Sequence, residues 1–162
     1  MILFAADDHY QSFPGRNIHS EIAADYPDMR FFENDWECFT RFDLAVECRL
    51  LILHMIAGTC NLPLPGQEAA EAVRRYFETG KPVLLLHGGS AAFWPFDWFR
   101  EAVGLRWVRG NDPDGVVASF HPKEPYRVEP AKCRHPLVSR LIPMDLPQDE
   151  IYTALEQTRP MW

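Results

Sequence analysis

The sequence predicts an α/β domain built on a mostly parallel sheet with helices on both faces, and three observations carry that expectation. Residues 1–6 and 83–86 are short, uniformly apolar runs, the pattern of strands buried on both faces rather than of amphipathic helices. Between them, residues 67–79 set Ala69, Ala72, Val73, Tyr76 and Phe77 on one helical face, as a surface helix does when it packs on a core. Strand and helix then keep alternating as far as Val103, which is how a chain builds parallel pairs through helical crossovers.

Met1 to Ala6 is the expected first strand, with Asp7, Asp8, His9 and Tyr10 at its carboxyl end. A loop through Pro14 and Gly15 leads to Asn17 as N-cap, after which Ile18, Ile22 and Tyr26 recur at helical spacing until Pro27. Residues 29–32 and 42–47 are the expected second and third strands, linked through Trp36 and Phe39. Residues 48–66 hold an apolar run with His54 and then Gly58, Cys60, Pro63, Pro65 and Gly66, and read as a loop folding over the sheet edge. The helix over 67–79 has Glu68 and Glu71 early, Arg74 and Arg75 late and Gly80 beyond its end, matching the helix dipole and the usual stop signal. Val83 to Leu86 is then a strand buried on both faces, ending abruptly in His87-Gly88-Gly89-Ser90, with Ser90 as N-cap ahead of a helix around Phe96 to Val103. Eight of the 14 prolines follow residue 110, so loops and short edge strands are expected there. Strands over 115–120, 126–128 and 151–155 and one helical turn within 134–141 fit that pattern.

At 162 residues and 47% hydrophobic content, the chain fits one domain with a sizeable core. A formal charge of −7 without a basic stripe argues against a nucleic-acid partner. The first apolar run lacks preceding basic residues, so it reads as a strand rather than a signal peptide. Leu50 to Ala57, the longest apolar stretch, falls far short of the roughly 20 residues that span a bilayer. A soluble, cytoplasmic protein is expected. Cys38, Cys48, Cys60 and Cys133 form no C-x-x-C pair and read as reduced thiols.

The corner at His87 is the first candidate site, because ligands of open α/β sheets bind at the carboxyl ends of the strands. His87 can serve there as general base, general acid or metal ligand, or hold the corner by a hydrogen bond to a loop carbonyl. The backbone of Gly88, Gly89 and Ser90 can offer N–H groups to an anion or a sugar oxygen, although most such corners are only tight turns. Asp8 and His9 also sit at a strand end, so they can converge with His87 on one crevice and share protons or a divalent metal such as zinc; capping of a loop by Asp7 and Asp8 is the plainer reading. His121-Pro122, His135-Pro136 and Asp149-Glu150 supply further proton-transfer groups or ligands, or simply a solvated loop. His19 and His54 read as structural. No G-x-S-x-G, G-x-G-x-x-G or P-loop is present, and the turn that would carry an amidotransferase cysteine carries His87 instead.

Four ordered segments, L-L-L-H-G-G-S-A-A-F (84–93), S-F-H-P (119–122), R-H-P-L-V (134–138) and D-E-I-Y-T (149–153), resemble the ThuA-like trehalose-utilisation family. D-D-H-Y after the first strand and Y-F-E-T-G-K-P-V before His87 strengthen the likeness, which covers nearly the whole chain. The resemblance implies a flavodoxin-like fold of the class I glutamine amidotransferase type without its cysteine, and a link to disaccharide or keto-sugar metabolism. It places His9, His87, His121, His135, Asp149 and Glu150 at family motif positions. His87, His9 and Glu150 are therefore the expected catalytic residues. Asp8, Gly88, Gly89, Ser90, His121, His135 and Asp149 are the expected ligand contacts, and His9 and His87 the expected metal ligands. Three departures stand out: Ser139-Arg140-Leu141 replaces a glycine-leucine pair, the start carries D-D-H-Y in place of a glycine-rich turn, and the chain stops at Trp162, where relatives continue into a further strand. A single domain over 1–162, lacking that C-terminal strand, is the expectation. Its partner is a small carbohydrate, with no membrane or nucleic acid, and a homo-oligomer is admitted. The rival readings are a non-catalytic sugar- or partner-binding module of the same fold and an amidotransferase-like cysteine hydrolase using Cys60.

Overall fold

Ile2–Ala6 (β1) is buried at every position, and the rest of the N-terminal part of the chain is laid around it. Met29–Glu33 (β2), Leu50–His54 (β3) and Val83–Leu85 (β4) complete a four-stranded sheet in the order β2-β1-β3-β4, parallel at every pairing. In the computed structural model, residues 1–60, 62–110, 115–132 and 135–158 are described, and packing divides the chain into two units, Met1–Val103 and Gly104–Trp162.

Alternation along the strands sorts the core of the first unit onto two faces. Leu3 and Ala5 of β1 join Leu51 and Leu53 of β3 on one face. It is covered by Leu44 from Leu44–Glu47 (α2), Val73 and Tyr76 from Gln67–Glu78 (α3), and Phe99 from Asp97–Val103 (α4). Ile2, Phe4 and Ala6 join Ile52 on the other face, which takes Ile22 of Pro14–Ile22 (α1). Helices therefore flank the sheet on both sides, as expected of the α/β class. The approach of α1 is close enough that a Cβ on Gly15 would stand 2.4 Å from that of Ala6, so glycine is required at that contact.

Several local expectations are overturned. Residues 42–47 are no strand. Leu44–Glu47 is a short helix in which only Leu44 is buried, with the Asp43 N–H donating to the Glu47 carboxylate at 2.9 Å. The Lys81 ammonium donates to the carbonyls of Ala45, Val46 and Cys48. Capping of both ends beats the period-two pattern of F-D-L-A-V-E. The third strand comes instead from residues 48–66, where the loop over the sheet edge was expected: β3 is an inner strand paired to both β1 and β4. β4, expected to be buried on both faces, is an edge strand among the described residues, with Leu84 44% exposed. The first helix begins at Pro14, three residues before Asn17, because proline's fixed φ suits a first helical turn. Ser90 caps nothing, since His87–Ala91 is itself a turn of 3-10 helix.

In the second unit, Leu105–Arg106 (β5) pairs antiparallel with Glu156–Gln157 (β8), and Lys123–Val128 (β6) pairs antiparallel with Met144–Glu150 (β7). The strand expected at 115–120 is reduced to one bridge from Phe120 to Thr153. The strand expected at 151–155 is displaced to either side, into β7 and β8. β6 and β7 tolerate Pro125 and Pro147 because a two-stranded ribbon has an open edge on each strand, and the register shifts across Pro125. The helical turn expected within 134–141 is a 3-10 turn at Val138–Arg140; Cys133 and Arg134 lie outside the described residues. Arg106, 1% exposed, donates Nε to the Glu156 carboxylate at 2.6 Å. Among the described residues no helix is long and apolar enough to cross a membrane.

Candidate functional site

The strand order creates the site before any side chain does. Successive strands β1 and β2 step one way across the sheet, whereas β3 and β4 lie on the opposite side of β1. The crossovers on either side of this switch diverge and leave a crevice beyond the carboxyl ends of β1 and β3. Asp7, Asp8 and His9 follow β1, His54 ends β3, and His87 follows β4 by two residues.

Asp7 is fully buried and anchors the crevice. Its backbone N–H donates to the His54 carbonyl at 2.9 Å. Its carboxylate accepts the Ile56 N–H at 2.8 Å and the His9 N–H at 3.1 Å. Burial pushes this carboxyl above the ordinary aspartate range, opposed by those backbone donors and by the charges of His9 and His54. The His9 ring lies with Nδ1 3.6 Å from Asp7 Oδ1, too long for a hydrogen bond. That Nδ1 is buried and unpartnered. The other ring nitrogen of His9 meets His87: Nε2 to Nε2 is 3.0 Å, with the rings edge to face. At that separation one nitrogen donates and the other accepts, so the pair shares a proton.

His54 completes a cluster of three imidazoles. Its ring centroid is 5.6 Å from that of His9 and 5.7 Å from that of His87. It is 3% exposed, and its Nδ1 is buried without a partner. Burial holds its basicity below the ordinary imidazole value, outweighing the Asp7 charge. Cys60 brings a thiol to Asp7 and His9: one ligand atom from each of the three lies within 4.8 Å of the others. His9, Cys60 and His87 all carry left-handed backbone, with φ of 44°, 51° and 47°. Such conformations cost about 1 kcal/mol or more in residues with a Cβ and cluster at functional sites.

Most of the residues expected from the sequence take definite places. His9 and His87 come together as anticipated. Asp8 is tied to Asn34 through two bonds, its N–H to Asn34 Oδ1 at 3.0 Å and Asn34 Nδ2 to its carboxylate at 3.1 Å, leaving one buried carboxylate oxygen unpartnered. Gly88 and Gly89 are buried, and the Gly89 N–H is spent on the Leu86 carbonyl at 2.8 Å. A Cβ on Gly89 would stand 2.1 Å from the Leu53 carbonyl oxygen, so this glycine serves the close approach of the turn to β3. Ser90 lies within the same 3-10 turn.

The remaining candidates belong to the second unit. His121 Nδ1 lies 3.5 Å from a Glu150 carboxylate oxygen that Lys123 also approaches at 3.5 Å, beside a Trp107–Tyr152 ring pair. The Asp149 carboxylate accepts the N–H of Glu150. His135 accepts the Leu137 N–H on Nδ1 at 3.3 Å, just ahead of the 3-10 turn.

Sequence reasoning missed four members of the site. Asp7 lies one residue before the expected Asp8, and inside–outside alternation from Ala5 is the signal that points to it. His54 ends an apolar run, and only its register opposite Ala6 reveals its place. Cys60, by sequence only a candidate nucleophile, lies among the potential ligand atoms of Asp7 and His9. Asn34, just past β2 with φ 54°, had no signal beyond the tolerance of asparagine for that backbone. His19, read as structural, stacks on Phe31 at 4.7 Å. Set against protein-family models, curated proteins and solved structures, the chain finds no match in any of the three.

Proposed function

We propose that the protein is a ThuA-like member of carbohydrate metabolism whose strand-end crevice performs acid–base chemistry on a small sugar, with His9 and His87 as the proton-transferring pair. The observation that carries this reading is the 3.0 Å Nε2–Nε2 contact between the two rings, at the mouth of a crevice where α/β sheets bind ligands. His87 is the exposed partner and the one that meets substrate; His9, half-buried beside Asp7, shares the proton with it through Nε2. The order β2-β1-β3-β4 matches the first four strands of the flavodoxin-like order, which supports the finer fold. Left-handed backbone at His87, φ 47°, on the turn after a parallel strand supports the likeness to folds that carry a reactive residue on a strained strand-to-helix turn; an imidazole there favours proton transfer over covalent catalysis. Three free thiols among the described residues are compatible with a reducing, cytoplasmic location.

Proton transfer at the carbon beside a sugar carbonyl exchanges that hydrogen with solvent. Incubating the protein with keto-sugars in deuterium oxide and following the C–H signals by NMR tests the reading directly. Deuterium incorporation is expected, and His87→Ala should slow it by about a hundredfold or more while circular dichroism stays unchanged. Exchange that is undiminished in the variant overturns the assignment. Saturable sugar binding with no exchange marks a binding module of the same fold.

A further inference from the structure

The proton pair uses one nitrogen of His9 and leaves the other unexplained. His9 Nδ1 is buried, has no hydrogen-bond partner and faces Asp7 Oδ1 across 3.6 Å. Stranding an imidazole nitrogen in this way costs about 1–3 kcal/mol. The Cys60 thiol belongs to the same group, all three ligand atoms falling within 4.8 Å of one another. A tetrahedral zinc ion with bonds of about 2.1 Å to nitrogen and oxygen holds such ligands about 3.4 Å apart, and slightly farther from sulfur. The spacing across Asp7 and His9 is thus that of ligands around a small cation.

We propose that Asp7, His9 through Nδ1, and Cys60 form a binding site for a first-row divalent cation of the zinc type. Charge supports divalency, because one carboxylate and one thiolate neutralise a 2+ ion where residual charge is costly. Donor chemistry supports zinc over magnesium or calcium, which take oxygen ligands. Each Asp7 oxygen accepts one backbone N–H and keeps a lone pair for metal. On binding, the Cys60 thiol proton leaves to solvent and the sulfur lone pair becomes the bond to metal, with no change of oxidation state. Three protein ligands leave a fourth position for water or a substrate hydroxyl or carbonyl oxygen. The site rests on the acid–base reading and deepens it: metal on Nδ1 fixes His9 with its proton on Nε2, so that His9 donates to His87.

The test is titration of the full chain, stripped with chelator and kept reduced, with Co²⁺ and then Zn²⁺ and no sugar present. One equivalent of Co²⁺ is expected to give the visible bands of a tetrahedral ion and a near-ultraviolet thiolate-to-cobalt charge-transfer band, both removed by Zn²⁺. Cys60→Ser should abolish the charge-transfer band and weaken Zn²⁺ at least tenfold, and Asp7→Asn should weaken Zn²⁺ similarly. His87→Ala should keep the band, because His87 is no ligand, while losing sugar exchange, so the two proposals fail separately. A charge-transfer band that persists in Cys60→Ser, or no Co²⁺ binding at millimolar concentration, overturns the site. Circular dichroism verifies that Cys60→Ser is folded; Cys60 sits in a half-buried turn, so this variant carries the test if Asp7→Asn does not fold.

Discussion

His54 shows how a single residue acquires its meaning from its neighbours. It is 3% exposed, and burial lowers its basicity below the ordinary value of 6.5 despite the nearby Asp7 charge. In the unfolded chain it takes up a proton below about pH 6.5; in the folded chain it does so only at lower pH. The unfolded state therefore binds more protons in that window, and stability falls as pH drops from about 6.5 toward the folded value, then levels off. Thermal unfolding with chelator present should show a larger fall in Tm between pH 7.5 and 5.5 for the natural chain than for His54→Gln. Asp7, whose raised carboxyl acts in the opposite sense above 3.8 and is partly held down by His54, changes with it, so the difference reports His54 together with its charge on Asp7. Equal pH slopes would remove His54 as the cause. Nothing in L-I-L-H separates a core histidine from a site histidine; the register that sets His54 opposite Ala6 does.

At the level of elements, the turn after β4 depends on β3. Gly89 is legible as a turn residue, yet its physical requirement lies in the Leu53 carbonyl oxygen, 2.1 Å from where a Cβ would sit. A rigid strand carbonyl cannot yield, so Gly89→Ala should destabilise by about 3 kcal/mol, read as a shift of the urea midpoint, and should move His87 off His9. A midpoint within about 0.5 kcal/mol of the natural chain would show that the turn shifts at little cost. The helix at 67–78 was readable because its apolar face, its charge order and Gly80 agree. The helix at 44–47 was not, because what holds it comes partly from Lys81, more than thirty residues away. β3 was hidden by the breakers that follow it.

The whole molecule is two units, and both buried apolar clusters and every member of the proposed metal site lie in the first. A fragment of residues 1–103 should therefore unfold cooperatively and give the same cobalt spectrum as the full chain. A fragment that is unfolded by circular dichroism would show that the first core is not self-sufficient. In the second unit, buried Arg106 donates Nε to the Glu156 carboxylate at 2.6 Å, and deleting the acceptor of a buried charged donor removes a charge-assisted hydrogen bond. Glu156→Ala should therefore destabilise the second unit by about 2 kcal/mol. Selective loss of hydrogen-exchange protection beyond residue 104 would report it.

By itself the sequence determined the α/β class, the strand at residues 2–6, the helix over 67–78 and the placement of His9 and His87 at strand ends. Hydrophobic period and capping residues are local, and they act within one turn or one strand. Tertiary structure alone decided that β3 lies at 50–54 beside β1, that His54, Asp7 and Cys60 join the histidine pair, and that His9 keeps one nitrogen without a partner. Those facts depend on strand order and register, which pair residues about fifty positions apart. The energy that selects them comes from burying both faces of the sheet at once, and no single stretch of chain contains it.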